Sequence, residues 1–433
     1  MSEKGLSPPN KLEFTPVHGG NKENEGNNDD FEKILERAKM KQEQESVEKE
    51  KNSSEKESSR DNKIEIDYSS FPLVEEEKEG KINKDSNERP LLAKRKRCPI
   101  IEGCNSINNY ERLNYIHEGV YGMVFRAQDT LTGEIYAIKK VKLNKEKEGF
   151  PITSIREINL LLGMNHPNIV NVKEVAIGNS LDHIFVVMEY VEHELKDLME
   201  HTKYTFSTSE IKCLMKQLLQ GVEYLHNHNV MHRDLKTSNL LYSNSGLLKV
   251  CDLGLARKFL GSKRSYTPIV VTLWYRAPEV LLGCDQYTPA IDMWSVGCIF
   301  AELILKEPLL KAQIEIEMID VIFRTLGNPT STTWPGWKEL KYAKNLQPKN
   351  YMGSKLREIF LRNSFIGEAC LSENGLDLLS KMLYYDPSKR ITATEALKHP
   401  WFKEGPPPQD TDLMPTFPAM NDTSRELRKK RFS

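Results

Sequence analysis

The sequence predicts an α+β fold with two lobes, a small antiparallel β lobe that carries one helix and a larger, mainly helical lobe. β-Forming residues dominate the run 134–141, which favours a strand. Apolar residues recur at helical spacing across 211–225, and residues 290–300 are apolar on most sides, as is typical of a buried helix. The strand-rich part comes first, and helices dominate the sequence after it.

Composition divides the chain of 433 residues into three parts. Residues 1–108 are dense in Lys, Glu, Ser and Asn and contain few aromatic residues. Such a segment buries too little apolar surface to offset its chain entropy, so we predict a disordered, charged extension. Residues 403–433 begin with a proline-rich run and become polar and basic, which predicts a flexible tail. The globular part between them, 109–402, is expected to comprise a first lobe, a hinge and a second lobe, at 109–187, 188–191 and 192–402.

Charge and hydropathy exclude several classes of function. The formal net charge of −1 gives no support for direct binding of nucleic acid or of a membrane surface. No uninterrupted apolar stretch of about 18 residues is present to cross a bilayer, and the N-terminal residues lack the apolar segment of a secretory signal. The seven cysteines form no C-x-x-C pair, which favours a reducing compartment without structural zinc.

One short basic cluster lies within the N-terminal extension, at 94–97. It is a candidate nuclear-import patch. In that interpretation an import receptor is a partner, and the chain is nuclear, with the cytoplasm as a second location. A solvated run of charges is the alternative interpretation of the same residues.

The most informative run is His-Arg-Asp-Leu-Lys-Thr-Ser-Asn, which starts at His232 and is followed by Asp-Leu-Gly starting at Asp252. It places a candidate base, Asp234, close to a candidate phosphate-binding lysine, Lys236. Asn239 and Asp252 supply oxygen ligands for Mg²⁺. Because phosphoryl transfer depends on positioning, Mg²⁺ and charge neutralisation, the run predicts an enzyme that transfers a phosphoryl group.

A glycine-bearing turn lies upstream of this run. Gly119 and Gly122 let the backbone approach a phosphate without an intervening Cβ, although a plain hairpin turn explains them as well. In the following strand Ala137 and Lys139 share one face, because side chains alternate along a strand. Val124 and Ala137 are then placed to sandwich an adenine while Lys139 reaches the phosphates.

These motifs resemble those of protein kinases, in particular the PITSLRE-type cyclin-dependent kinases. The kinase order H-R-D-L-x-x-x-N, D-F-G and A-P-E is present, the last at 277–279. The run Pro-Ile-Thr-Ser-Ile-Arg-Glu at 151–157 differs from the PITSLRE heptapeptide only at Ile155, and its proline suits the start of a helix. The neighbouring features that agree are 146–150, 190–193, 236–239 and 334–336. The resemblance covers roughly 110–402 and implies the bilobal protein-kinase fold with an αC helix, and ATP and Mg²⁺ as cofactors.

The resemblance assigns roles to the residues at matching positions. The catalytic set it implies is Asp234, Lys236, Lys139, Glu157 and Thr272. The metal ligands are Asn239 and Asp252. The residues that would contact ATP are Ile116, His117, Glu118, Gly119, Val120, Tyr121, Gly122, Met123, Val124, Ala137, Lys139, Met188, Glu189 and Val191.

Regulation by phosphorylation and by a cyclin is also implied by the resemblance. Thr267 matches the threonine that receives an activating phosphate, whose charge favours arginine partners. The arginines at the matching places are Arg156, Arg233 and Arg257. Tyr121 is a second candidate phosphosite, whereas Val120 lacks the hydroxyl that many cyclin-dependent kinases have there. A cyclin that presses on the helix carrying Arg156 would complete both the arginine cluster and the lysine–glutamate pair.

Substrates and two structural pairs follow from the same resemblance. Val270 and Val271 match the pocket that accepts a proline after the phosphoacceptor, so protein substrates with Ser-Pro or Thr-Pro are expected. A nuclear role in transcription, pre-mRNA processing or the cell cycle is implied as well. Asp292 is expected to hold the catalytic loop, and Arg390 is expected to pair with Glu279.

Two departures from the kinase pattern leave an alternative from another class. His117 stands where the first glycine is usual, and Leu253 replaces the phenylalanine of D-F-G. A pseudokinase scaffold that acts through its charged extension would tolerate both changes. Against it stand the chemical residues that the chain retains, which are Lys139, Asp234, Asn239 and Asp252. A mitogen-activated-type kinase is rejected because Tyr266 directly precedes Thr267, instead of a Thr-x-Tyr pair.

Overall fold

The computed structural model of the chain describes residues 104–119, 122–141, 158–178, 183–202, 204–259, 272–361 and 371–418. All of them belong to one compact unit, Lys94–Ser433. They form a sheet-containing lobe and a mainly helical lobe, which confirms the predicted fold class. Except for 104–108, the extension predicted for 1–108 lies outside the described residues.

The small lobe is a six-stranded sheet with the strand order β1-β5-β6-β4-β3-β2. Its strands are β1 Asn105–Ser106, β2 Tyr110–Gly119, β3 Gly122–Asp129, β4 Ile135–Val141, β5 Val172–Ile177 and β6 Ile184–Glu189. All neighbours are antiparallel except β1 and β5, which pair in parallel. The sheet therefore begins at Asn105, slightly before the predicted domain start at 109.

Apolar side chains cover both faces of this sheet. One face buries Tyr110, Ala127, Ile138, Ala176 and Val187. The opposite face packs on helical residues 158–162, the described part of the helix predicted from Pro151. Ile138 and Val141 lie three positions apart on β4, so their side chains point to opposite faces of the sheet.

The large lobe is built from helices, of which α2 and α4 form the centre. The helices are α1 Leu195–His201, α2 Thr208–Asn227, α3 Pro278–Leu281, α4 Ala290–Leu305, α5 Glu315–Leu326, α6 Leu356–Leu361, α7 Glu373–Met382 and α8 Ala393–Leu397. A capping box of Ser207 and Glu210 starts α2. The predicted apolar stripe of α2 is fully buried and comprises Ile211, Leu214, Met215, Leu218, Leu219, Val222 and Leu225. Within the described ranges, no helix has the length and apolar character needed to span a bilayer.

Short strands in the large lobe flank the two segments that contain the candidate catalytic and metal-binding residues. They are β7 His193–Glu194, β8 Val230–Met231, β9 Leu240–Tyr242, β10 Leu248–Val250 and β11 Arg257–Lys258. The strands β10, β9 and β7 form one sheet, and β11 pairs with β8. The catalytic loop, 232–239, thus lies between β8 and β9, and residues 251–256 lie between β10 and β11.

Residues 403–418 pack on the large lobe, so the flexible tail predicted from 403 onward is wrong over this range. The ammonium group of the buried Lys212 donates to the carbonyl oxygens of Glu404 and Pro406 at 2.9 and 2.7 Å. The ring of Phe417 lies against an aromatic group formed by Tyr204, Phe206, Tyr242 and His193. Composition missed this because a few buried anchors fix a segment that is otherwise polar and rich in proline.

Candidate active site

The catalytic loop is held from below by the buried carboxylate of Asp292 on α4. Oδ2 accepts hydrogen bonds from the His232 backbone nitrogen and from His226 Nε2, both at 2.9 Å, and Oδ1 accepts one from the Arg233 nitrogen at 2.9 Å. Burial alone would raise the pKa of Asp292, but these donors, with His226 contributing most, lower it. The ionised carboxylate stabilises the loop where Arg233 adopts a left-handed φ of 68°. This is the role expected for Asp292.

His232 connects the catalytic loop to the segment that carries Asp252. Its Nδ1 accepts a hydrogen bond from the Asp234 nitrogen at 3.2 Å, and its Nε2 lies 3.0 Å from the carbonyl oxygen of Cys251. These partners together assign a neutral imidazole with its proton on Nε2. The two ligand-bearing segments are therefore fixed relative to each other by one side chain.

Asp234, Lys236 and Thr272 form a compact polar group. The Lys236 ammonium lies 2.9 Å from Asp234 Oδ2 and donates to Thr272 Oγ1 at 3.0 Å. Thr272 in turn donates to Asp234 Oδ1 from both its backbone nitrogen and its hydroxyl, each at 3.2 Å. These contacts hold the Asp234 carboxylate in one orientation beside the positive charge of Lys236. A carboxylate in this position can accept a proton, and the lysine can neutralise negative charge on a group that is transferred.

Asn239 and Asp252 present oxygen atoms suited to a hard cation. The amide nitrogen of Asn239 donates to two oxygens of Asp234, the backbone carbonyl oxygen at 2.7 Å and the carboxylate Oδ2 at 3.1 Å. The amide oxygen of Asn239 therefore points away from Asp234 and can bind a ligand. The Cys251 nitrogen donates to the Asn239 carbonyl oxygen at 3.0 Å, so Asp252 follows immediately beside Asn239.

The electrostatic environment keeps Asp252 ionised. Its burial would raise the pKa of this carboxyl, but the positive charges of Lys139 and Lys236 and the hydrogen bond from the Gly254 backbone nitrogen lower it. Among the described residues, no three His, Cys, Asp or Glu side chains converge on one point. One carboxylate and one amide oxygen, completed by phosphate and water, is the donor set that Mg²⁺ typically uses in proteins, and the residues present fit it.

Four residues predicted to contact a nucleotide share one face of the small-lobe sheet. Val124 pairs with Lys139, and Ala137 pairs with Met188. Val124 and Ala137 are thus brought above the cleft together with the lysine, as the alternation predicts. The Lys139 ammonium lies 3.6 Å from Asp252 Oδ1, which joins the sheet to the metal-ligand segment.

The side chain of Glu189, at the end of β6, is committed to structure. Its Oε1 accepts a hydrogen bond from the Asn171 nitrogen at 2.7 Å, and its Oε2 lies 2.9 Å from the ammonium group of Lys249 on β10. Glu189 therefore offers only its backbone to a ligand. Val191, two residues further on, is buried.

Two of the three predicted phosphate-binding arginines lie on neighbouring backbone segments. Arg257 on β11 pairs with Met231 on β8, two residues before Arg233. Arg233 donates from Nε to the Leu255 carbonyl oxygen at 2.7 Å and from Nη1 to the Tyr287 hydroxyl at 2.6 Å. These contacts fix the guanidinium plane, and Tyr287 is a partner that no local motif in the sequence indicated.

Leu253 fills the place of the usual phenylalanine as an apolar plug. It is 1% exposed and belongs to the same buried cluster as Leu160 and Leu161 of the small-lobe helix. The substitution thus retains the packing between the metal-ligand segment and that helix.

Some predicted site residues lie outside the described residues, namely Val120, Tyr121, Arg156, Glu157, Thr267, Val270 and Val271. Ile116, His117, Glu118, Gly119, Gly122 and Met123 belong to β2 and β3, where a bulge lies between Tyr115 and His117. Other contacts around the site were missed by sequence reasoning because they join distant segments. These are the contacts of His226 with Asp292, Lys249 with Glu189, and Thr237 and Tyr275 with Glu302.

A two-lobed fold with this arrangement of aspartates, lysines and asparagine defines the protein kinase class. The family model described as Protein kinase domain matches residues 110–402. The chain belongs to the protein kinase family, in its PITSLRE-type cyclin-dependent branch.

The relatives support this branch. The chain is 53% identical over 352 residues to Cyclin-dependent kinase G-2 of Oryza sativa subsp. indica, covering 81% of this chain and 49% of that protein. It is 50% identical over 333 residues to Cyclin-dependent kinase 11B of Homo sapiens, covering 77% and 41%. The match to Serine/threonine-protein kinase PITSLRE of Drosophila melanogaster is 50% over 332 residues, covering 75% and 34%. The chain thus spans about half the length, or less, of these relatives.

Proposed function

We propose that the chain is an ATP-dependent serine/threonine protein kinase that is activated by a cyclin and directed to Ser-Pro or Thr-Pro sites. The observation that carries the proposal is the joint placement of Asp234, Lys236 and Thr272 within 3.2 Å of one another, beside Asn239 and Asp252. A candidate base, a lysine that can neutralise charge and two oxygen ligands for Mg²⁺ thus lie together, and phosphoryl transfer uses all of these groups. A scaffold without catalysis would have no need to hold Asp234 in one orientation by donors to both of its carboxylate oxygens.

The residues divide the work of transfer as follows. Asp234 orients the substrate hydroxyl and accepts its proton at a carboxylate oxygen, and Lys236 neutralises charge on the transferred group. Lys139 holds the α- and β-phosphates, and Asn239 and Asp252 would hold Mg²⁺, which supplies charge neutralisation when bound. Because the transition state is loose, the proton leaves late, so the position of Asp234 matters more than its basicity.

The proposed cyclin partner is supported by the family branch. Relatives in this branch carry names that describe cyclin dependence. A cyclin would act on the helix whose described part is 158–162, since that helix packs against the segment containing Leu253. We further propose a nuclear location, through the basic cluster 94–97, and a role in transcription, pre-mRNA processing or the cell cycle.

One experiment tests activation and specificity together. The full chain is purified alone and also captured from cells with its co-purifying cyclin, and both preparations receive a Ser-Pro peptide or the matched Ser-Ala peptide. We expect the lone chain to be nearly inactive and the assembly to phosphorylate Ser-Pro at least about tenfold faster than Ser-Ala, a ratio within the range that one pocket contact supplies. Full activity of the lone chain would reject cyclin activation, and equal rates on both peptides would reject proline direction.

Removing the charge of Asp252 should weaken binding of the metal–nucleotide complex. Asp252→Asn keeps the shape of the side chain but loses the carboxylate, so we expect Mg²⁺-dependent ADP affinity to fall by about 10- to 100-fold, the loss typical of damage to a metal site. Calorimetry with and without Mg²⁺ measures this. The exposed Asp412 provides the control variant Asp412→Asn. An unchanged Mg²⁺ dependence in Asp252→Asn would remove Asp252 from the metal site.

A further inference from the structure

A buried hydrogen-bonded cluster borders the catalytic loop, and none of the roles given above uses it. It consists of Thr237, Tyr275 and Glu302, which are 0%, 5% and 4% exposed. The Thr237 hydroxyl donates to Glu302 Oε1 at 3.1 Å, and the Tyr275 hydroxyl donates to Glu302 Oε2 at 2.7 Å. The two hydroxyl oxygens lie 3.2 Å apart. Both oxygens of one carboxylate are thus used by hydroxyl groups from two different segments.

Each member of the cluster is attached to a part of the catalytic apparatus. Thr237 directly follows Lys236 and begins a 3₁₀ turn. Tyr275 ends the 3₁₀ turn that starts after Thr272. Glu302 lies on α4, the buried helix at the centre of the large lobe. The cluster therefore joins the two segments whose side chains meet at Asp234.

These contacts close a ring. On one side the Lys236 ammonium donates to Thr272 Oγ1 at 3.0 Å. On the other side Thr237 and Tyr275, which lie one and three residues further along, are tied to Glu302. A ring of this kind fixes the distance between the two segments from both sides, so neither can move without breaking a buried contact.

The carboxylate makes the ring sensitive to loss of a donor. Burial raises the pKa of Glu302, while the hydrogen bonds from Tyr275 and Thr237 oppose that rise. A buried carboxylate oxygen that loses its donor is left unsatisfied, which costs more than the bond itself contributes. A shift of the catalytic loop or of α4 would relieve this cost.

We propose that Thr237 is a positioning residue for phosphoryl transfer. Its hydroxyl, acting through Glu302, holds Lys236 and Thr272 at the separation at which both contact Asp234. The proposal rests on the kinase function proposed above. Because Thr237 acts through a carboxylate and not on the reacting atoms, its loss changes turnover and leaves nucleotide affinity nearly intact.

The test compares two substitutions in the full chain assembled with its cyclin. Thr237→Val keeps the shape of the side chain and removes the hydroxyl, whereas Thr237→Ser keeps the hydroxyl. We expect Thr237→Val to lower kcat by about tenfold, since a small misplacement of catalytic groups has effects of this size or larger. The KM for ATP should change by less than about twofold, and Thr237→Ser should retain most of the wild-type kcat.

A matched control separates positioning from a general loss of packing. The Thr394 hydroxyl on α8 donates to Glu223 on α2 at 2.6 Å, which is the same kind of bond outside the catalytic segments. Thr394→Val should leave kcat unchanged. If Thr237→Val does not fold, as judged by its thermal unfolding, Tyr275→Phe removes the other hydroxyl of the ring and is measured in its place.

The outcomes separate this proposal from the one on which it rests. An active wild type with an equally active Thr237→Val variant would overturn the role of Thr237 and leave the kinase function standing. Equal losses in the Val and Ser variants would overturn it as well, because the hydroxyl would then not be the determining group. A wild-type assembly that binds Mg·ATP and phosphorylates no substrate would refute the kinase function itself, and the role of Thr237 with it.

Discussion

Asp234→Asn is expected to lower kcat by about 10²–10⁴-fold, the range in which a positioned general base contributes. Each carboxylate oxygen of Asp234 accepts two hydrogen bonds. Oδ1 accepts from the backbone nitrogen and the hydroxyl of Thr272, and Oδ2 accepts from Lys236 and Asn239. An asparagine amide has only one acceptor oxygen, so in either orientation its nitrogen faces two donors. The variant thus loses the carboxylate that accepts the proton and also the hydrogen bonds that hold this side chain in place.

The measurement is steady-state phosphorylation of a Ser-Pro peptide by the cyclin-bound assembly, with Mg·ADP affinity determined in parallel by calorimetry. Nucleotide affinity should persist in Asp234→Asn, because Lys139 holds the phosphates and Asn239 and Asp252 would hold the Mg²⁺ that accompanies them. The control Asp412→Asn alters an exposed aspartate in the packed C-terminal segment and should behave as wild type. Retention of more than about a tenth of the wild-type kcat would remove Asp234 from the role of base.

The part of the active site that sequence reasoning could identify is local. The catalytic loop packs a candidate base, a lysine and a metal ligand into eight consecutive residues, so their types and spacing already indicate the chemistry. The apolar stripe of α2 and the buried character of α4 were likewise visible as periodicity, because burial of one face or all faces leaves a direct trace in the sequence.

What could not be predicted are the partners that join distant segments. Thr237 carries no local sign that its hydroxyl bonds Glu302, 65 residues away. Lys249 likewise gives no sign that it pairs with Glu189 at the end of β6. Such pairs depend on how the elements pack, and hydroxyl and amine groups are common on surfaces, so their residue types alone do not mark them. The family resemblance supplied the long-range partners that were anticipated, among them Asp292 and Arg390.

The same limit explains the error at the C-terminus. A run of prolines and polar residues predicts a loop, and residues 403–418 indeed contain little regular structure. They are nevertheless fixed, because Lys212 is buried and needs acceptors, which the carbonyl oxygens of Glu404 and Pro406 provide. A few residues with specific partners are enough to fix such a segment on the domain. The average composition of the segment does not show which residues have partners.

Breaking the ion pair between Arg390 and Glu279 should have the largest effect on stability. Arg390 donates from Nη1 and Nη2 to the two oxygens of Glu279 at 2.7 and 2.9 Å, and both side chains are at most 3% exposed. Arg390→Met removes the guanidinium and leaves a buried carboxylate without its partner. We expect the free energy of unfolding to fall by about 3–5 kcal/mol, as for other buried pairs that lose one member. Urea unfolding followed by fluorescence measures the change.

Two controls separate the stability that the Arg390–Glu279 ion pair contributes from the cost of leaving the Glu279 charge buried alone. One is a double variant, and the other is a variant of an exposed ion pair. In the double variant Arg390→Met with Glu279→Gln no uncompensated charge remains, so part of the lost stability should return. Arg357→Met breaks a pair with Glu373 whose side chains are 62% and 65% exposed, and it should cost less than about 1 kcal/mol because solvent screens that pair. If Arg390→Met proved no more destabilising than Arg357→Met, the bidentate contact would not anchor the segment that ends in Ala-Pro-Glu, and another contact would have to hold it.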